Sequence, residues 1–155
     1  MAFLTDLCLK ALTPDLWALE SPLIWEDADR GRITIPAGFI TDLASVPHWV
    51  DAIPFLDRTG RSRRPGALHD GIYALGRIRG KDWADHTLEA ACLAEGMHPR
   101  QARCYYLGVH WFGASSWAQD AREGIYGGIV SGDFMTDRAY RAWIGAGASI
   151  FSAPT

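Results

Sequence analysis

The sequence predicts an α+β domain, with a small antiparallel β region over residues 1–40 and an antiparallel helix core over residues 66–113. Three observations predict it. Short apolar runs divided by turn signals fill the first 40 residues, and the last of them alternates. After Pro65 the apolar spacing changes to the helical period. The connections between the helical stretches are short, which makes consecutive helices antiparallel neighbours. A chain of 155 residues, 48% apolar with seven tryptophans, suits one domain with a real core and argues against disorder.

In the β region, Leu7-Cys8-Leu9, Leu16-Trp17-Ala18-Leu19 and Leu23-Ile24-Trp25 are short apolar runs. A polar turn follows, and Arg32-Ile33-Thr34-Ile35-Pro36 alternates as a half-buried strand does. Pro36 cannot donate to a ladder and belongs at a strand end or edge. Residues 41–65 form a long irregular stretch broken by Pro47, Pro54 and Pro65, with a single helical turn expected near His48. So long a loop in a compact domain points to a functional use. It also carries Arg58, Arg61, Arg63 and Arg64, a candidate anion site, because guanidinium groups chelate phosphate and carboxylate oxygens.

Pro65 suits a first helical position. Ala67, Leu68, Ile72, Tyr73 and Leu75 then keep one apolar side. Asp82 is the expected N-cap of a second helix over 83–94, ended by Gly96, and Pro99 starts a third, ended by Gly113. In the C-terminal extension, 114–155, we expect a short helix over 117–122, a glycine-rich loop over 124–132 and a helix over 134–151 with an apolar tail. That tail serves as a strap over the core or as a docking surface.

Several function classes are excluded or disfavoured. A net charge of −3 gives no electrostatic case for nucleic acid. No apolar run approaches the ~20 residues that span a bilayer, and no secretory signal is visible. We therefore expect a soluble protein made inside a cell. Cys8, Cys92 and Cys104 form no metal-type pair and are expected as small core thiols rather than disulfides.

The chemistry gathers at Leu68-His69-Asp70-Gly71-Ile72-Tyr73. On a helix, adjacent His69 and Asp70 point about 100° apart, so they present two different functions to one cleft. Tyr73, one turn on, shares the face of His69. Asp85 on the next helix is placed to face His69, and a carboxylate behind an imidazole fixes its tautomer and makes a competent base for water. Asp70 with Asp42 offers hard oxygen ligands, supplemented by backbone carbonyls near Leu43, and that set suits Ca²⁺ better than Zn²⁺. His48, His86, His98 and His110 lack metal-ligand spacing, and Ser45 lacks a nucleophile elbow, so these read as structural.

Two families resemble this chain. Thr41-Asp42-Leu43-Ala44-Ser45, Leu68-His69-Asp70-Gly71-Ile72-Tyr73, Asp85 and Tyr105-Tyr106-Leu107-Gly108-Val109-His110-Trp111-Phe112-Gly113 resemble the prokaryotic phospholipases A2 in order and spacing. The resemblance implies a phospholipase-A2-like helix core. It gives His69 the role of water-activating base, Asp85 of orienting it and Tyr73 of supporting Asp85. Asp70, Asp42 and the Leu43 carbonyl become Ca²⁺ ligands. Ala44 stands where that family has a loop cysteine. The run from Ile35 to Pro47 followed by Ala67-Leu68-His69-Asp70 is similar to a family of tailed phages and prophages, domain of unknown function 1353, over about residues 15–113. That family usually has glycine where Leu43 stands. This second resemblance implies synthesis in a host cytoplasm and then a place in the virion or at the host envelope. Two readings follow: a Ca²⁺-dependent hydrolase of lipid or other esters, or a non-catalytic virion or tail component with a vestigial or structural metal site. A Zn²⁺ amidase needs two more soft or imidazole ligands than the motif offers.

Overall fold

Among the described residues, two antiparallel sheets precede three helices, and residues 151–152 return to the first sheet. The computed structural model describes residues 1–14, 16–43, 60–75, 79–115, 117–118 and 149–152. Arg58, the turn near His48, Ala44, Ser45 and the glycine-rich loop over 124–132 lie outside them.

The hairpin of β4 (Leu23–Asp27) and β5 (Gly31–Ile35) is the centre of a four-stranded sheet ordered β1-β4-β5-β7. Strict alternation buries Leu23, Trp25, Ile33 and Ile35 on one face. Asp27 closes the turn, where its carboxylate accepts from the Asp29 N–H at 2.8 Å and from Arg30 Nη1 at 2.9 Å. β1 (Ala2–Phe3) borders β4, and β7 (Phe151–Ser152) borders β5 through Ile33↔Phe151. A second sheet, β2-β3-β6, holds β3 (Leu16–Leu19) between β2 (Leu9–Thr13) and β6 (Ile40–Thr41). Pro36 directly follows β5, at the strand end expected of it.

α1 (Arg63–Leu75) crosses the buried face of the first sheet at Gly71, where a Cβ would lie 2.4 Å from Ile35 Cδ1. Only a glycine allows that approach, and it fixes the height of His69 and Asp70 above the sheet. α2 (Lys81–Ala94) packs against both α1 and α3 (Pro99–Phe112).

Several boundaries differ from the sequence reading. α1 begins two residues before Pro65, which costs no hydrogen bond because the first i→i−4 donor is Gly66, to Ser62 O at 2.8 Å. α2 is capped by Gly80 (φ 81°) rather than Asp82, which sits in its first turn. α3 keeps Pro99 at its start, with His98 Nδ1 accepting from the Arg100 N–H at 3.2 Å. β2 takes up Leu9 but runs on to Thr13, leaving Leu7 and Cys8 outside it. Of the expected helix over 134–151 only residues 149–151 are described, with Ile150 buried in the core and Phe151 in β7. Of the helix over 117–122 only residues 117 and 118 are described, with the Trp117 N–H donating to Gly113 O at 2.9 Å. All three cysteines are free thiols. Cys92 is buried, Cys104 is half-buried and Cys8, against expectation, is exposed. Burial first, then Glu89 and Glu95, pushes the Cys92 thiol up to about 12, so it is inert. Among the described residues no helix is long and apolar enough to cross a membrane.

Candidate functional site

Helical spacing builds the site. His69 and Tyr73 lie one turn apart on α1, with ring centroids 4.0 Å apart. Lys81 and Asp85 lie one turn apart on α2. The two pairs meet at the Asp85 carboxylate, which is 0% exposed. Its Oδ1 lies 3.1 Å from His69 Nε2 and accepts from the Tyr73 hydroxyl at 2.6 Å. Its Oδ2 accepts from Lys81 Nζ at 2.6 Å. The same ammonium donates to the Val109 carbonyl at 2.8 Å and the His110 carbonyl at 3.1 Å, at the C-terminal end of α3. Three helices are thus tied at one buried carboxylate.

The charges follow from these contacts. Burial alone would raise the Asp85 carboxyl, but hydrogen bonds from His69, Lys81 and Tyr73 together outweigh it and hold the group below the ordinary aspartate range. Burial lowers the His69 imidazole below the usual histidine value, and the nearby Lys81 charge adds to that, against the pull of Asp85. His69 is therefore neutral near pH 7. Oδ1 is an anionic acceptor, so the imidazole proton is assigned to Nε2, leaving the Nδ1 lone pair as the basic position. His69 is 7% exposed.

Gly113, just past α3, is part of this geometry, because a Cβ there would lie 2.8 Å from the Tyr73 hydroxyl. Trp117 packs edge-on against the Tyr73 ring, with centroids 4.9 Å apart.

Asp70 points to a different group. Its Oδ2 accepts from the Thr41 hydroxyl at 2.6 Å, and the same hydroxyl oxygen accepts from the Leu43 N–H at 2.8 Å. The stretch carrying Asp42 and Leu43 is thereby pinned to α1 beside Asp70. Leu43 holds a left-handed φ of 64°, a conformation that favours glycine. Asp42 and Asp70 are both half-buried. Two carboxylates and neighbouring backbone carbonyls are the donor chemistry of a hard cation. Among the described residues no three His, Cys, Asp or Glu side chains gather around one point. Carbonyls and water would have to complete such a site.

His69, Tyr73 and Asp85 are therefore brought together, and Asp70 is brought to the Asp42–Leu43 stretch. Of the candidate arginines among the described residues, Arg61 donates to Gly96 O at 3.1 Å, Arg64 pairs with Asp6 and Glu95, and Arg63 is exposed. Trp111 is exposed. Three participants were missed by sequence reasoning. Lys81 was signalled by its i,i+4 spacing to Asp85, Thr41 by its place before the acidic loop, and Gly113 only by its place after a helix.

No curated protein and no solved structure matches the chain. A family model described as "Protein of unknown function (DUF1353)" matches residues 17–109, more than half of the chain. The matched span includes Thr41, Asp42, Leu43, His69, Asp70, Tyr73, Lys81, Asp85 and Val109. The chain is a member of that family, the proteins of unknown function DUF1353.

Proposed function

We propose that this protein is a phage-associated, Ca²⁺-dependent hydrolase of lipid or other esters at the host envelope, with a phospholipase-A2-like His/Asp site. One observation supports this best: His69 turns Nε2 to the Asp85 oxygen that also accepts from Tyr73, which leaves Nδ1 as the base. In the reaction Nδ1 takes a proton from water as the oxygen attacks the ester carbonyl, and the imidazolium is stabilised by Asp85. The proton then passes to the leaving alcohol. Tyr73 keeps Asp85 aimed at His69. Asp42, Asp70 and the Leu43 carbonyl would hold a Ca²⁺ ion, which would polarise the ester carbonyl.

The test uses mixed-micelle phosphatidylglycerol and phosphatidylcholine, with fatty-acid release measured in Ca²⁺ and in chelator. Wild type releases fatty acid only with Ca²⁺, and His69→Gln loses about 10²–10⁴-fold in kcat while remaining folded. Equal release by wild type and His69→Gln, or none by wild type, sinks the reading. A second reading has its own observation: Asp85 is fully buried and held by three donors, as a structural knot would be. In that case the protein is a non-catalytic virion component, and folded His69→Gln enters particles as wild type does.

A further inference from the structure

We infer that Lys81 is a positioning residue of this site, selecting which Asp85 oxygen faces His69 and anchoring that choice to the end of α3. The inference rests on the hydrolytic reading for its functional meaning, and its geometry stands apart from it. The two oxygens of a carboxylate are equivalent until their neighbours distinguish them. At Asp85, His69 and Tyr73 converge on Oδ1. Among the described residues, Lys81 Nζ is the single donor within hydrogen-bonding distance of Oδ2, at 2.6 Å. His110 Nδ1 stays at 3.7 Å. Without the ammonium, Oδ2 is a buried anionic oxygen with no donor, and rotation of the carboxylate is the cheapest way to relieve it.

The ammonium is itself fixed. Its three protons meet three acceptors, Asp85 Oδ2 and the Val109 and His110 carbonyls. Those carbonyls lie in the last turn of α3, where orphan acceptors and the negative end of the helix dipole favour a cation. Lys81 is four residues before Asp85 on α2, so helical geometry aims both at one point. It needs neither substrate nor metal in contact to act, since it works through Asp85 on the orientation of His69.

The test reads the imidazole directly, by ¹⁵N and ¹H NMR of the full chain with labelled histidine. The His69 signals are identified by their loss in His69→Gln. Wild type is expected to show one Nε2–H tautomer with a downfield, exchange-protected Nε2 proton. Lys81→Met, and separately Lys81→Gln, should lose that protection and mix tautomers while amide dispersion elsewhere stays native. A merely structural lysine would lower the melting temperature and leave the tautomer alone. An unchanged His69 signal in either folded variant overturns the inference. A lysine whose every replacement unfolds the chain is a clamp only, and that result overturns it too. A wild type with the protected proton but no ester hydrolysis sinks the hydrolase reading and leaves the positioning role standing.

Discussion

At the residue scale, the fold holds both Asp85 and His69 deprotonated, one as an anion and the other as a neutral ring, so both fail as pH falls. The folded His69 binds its proton below the ordinary histidine value of 6.5, so the unfolded chain protonates first as pH falls. Its contribution to stability is full above about pH 6.5 and is lost as pH drops toward the folded value. Asp85 is depressed from 3.8, so its contribution is full above that value and is lost only as pH falls further, through the folded one. The interval from about pH 6.5 to 4 therefore belongs to His69, with a slope of at most about 1.4 kcal/mol per pH unit. Urea unfolding across pH should show a decline in that interval for wild type that His69→Gln lacks, with the steeper fall below pH 4 retained. The same decline in His69→Gln would remove His69 as its origin. His69, Tyr73 and Asp85 were legible because one turn of helix and one short connection are enough to bring them together. Lys81 was not, because Asp82 is a better cap by composition than Gly80. The backbone placed Gly80 at the cap and drew Lys81 into the first turn.

At the element scale, proline and glycine marked the helices well, because each acts on its own backbone. Pro99 begins α3, and Gly96, at φ 78°, terminates α2. β6 escaped notice because its two residues cannot show alternation, although Thr41 within it holds Asp70. Contact between elements is equally invisible when the contact residue is a glycine. Gly71→Ala gains up to about 1 kcal/mol of helix propensity on α1. It also places a Cβ within 3 Å of three atoms of Ile35, at 2.4, 2.8 and 2.9 Å. Ile35 is β-branched and fully buried, so it cannot swing away. Overpacking of this kind costs about 1–3 kcal/mol, and we expect it to win. Chemical denaturation should show net destabilisation of Gly71→Ala, relieved in part when Ile35→Ala is added. A stabilised single variant would mean that α1 can lift from the sheet, and His69 with it.

At the scale of the whole molecule, the chain closes its first sheet with residues more than a hundred positions from the hairpin they complete. Local periodicity carries no trace of such a pairing, and the apolar tail therefore read as helix. In the fold its last residues, Ile150 and Phe151, are divided between core and edge. Ile150 is 1% exposed, and its carbonyl accepts from the Thr34 N–H at 2.8 Å. Phe151 stacks edge-on against Trp83 of α2 at 5.5 Å, with the Arg79 guanidinium 5.3 Å from its ring. β7 thus joins the sheet to the helix that bears Lys81 and Asp85. A tail that only docked to a partner would be removable without cost. One that completes the core is not, and truncating a buried Ile150 to alanine should cost about 2–5 kcal/mol. Ile150→Ala and deletion of 149–155 should both lower the urea midpoint of the isolated protein, with the deletion the more severe because it also removes the β5 pairing and the Phe151 contact. Unchanged stability in both would restore residues 149–152 to the role of a dispensable docking segment. Loss of particle incorporation by such a deletion, measured alone, therefore reports unfolding and partner loss together; Ile150→Val, which costs about 0.5–1.5 kcal/mol, is the variant that separates them.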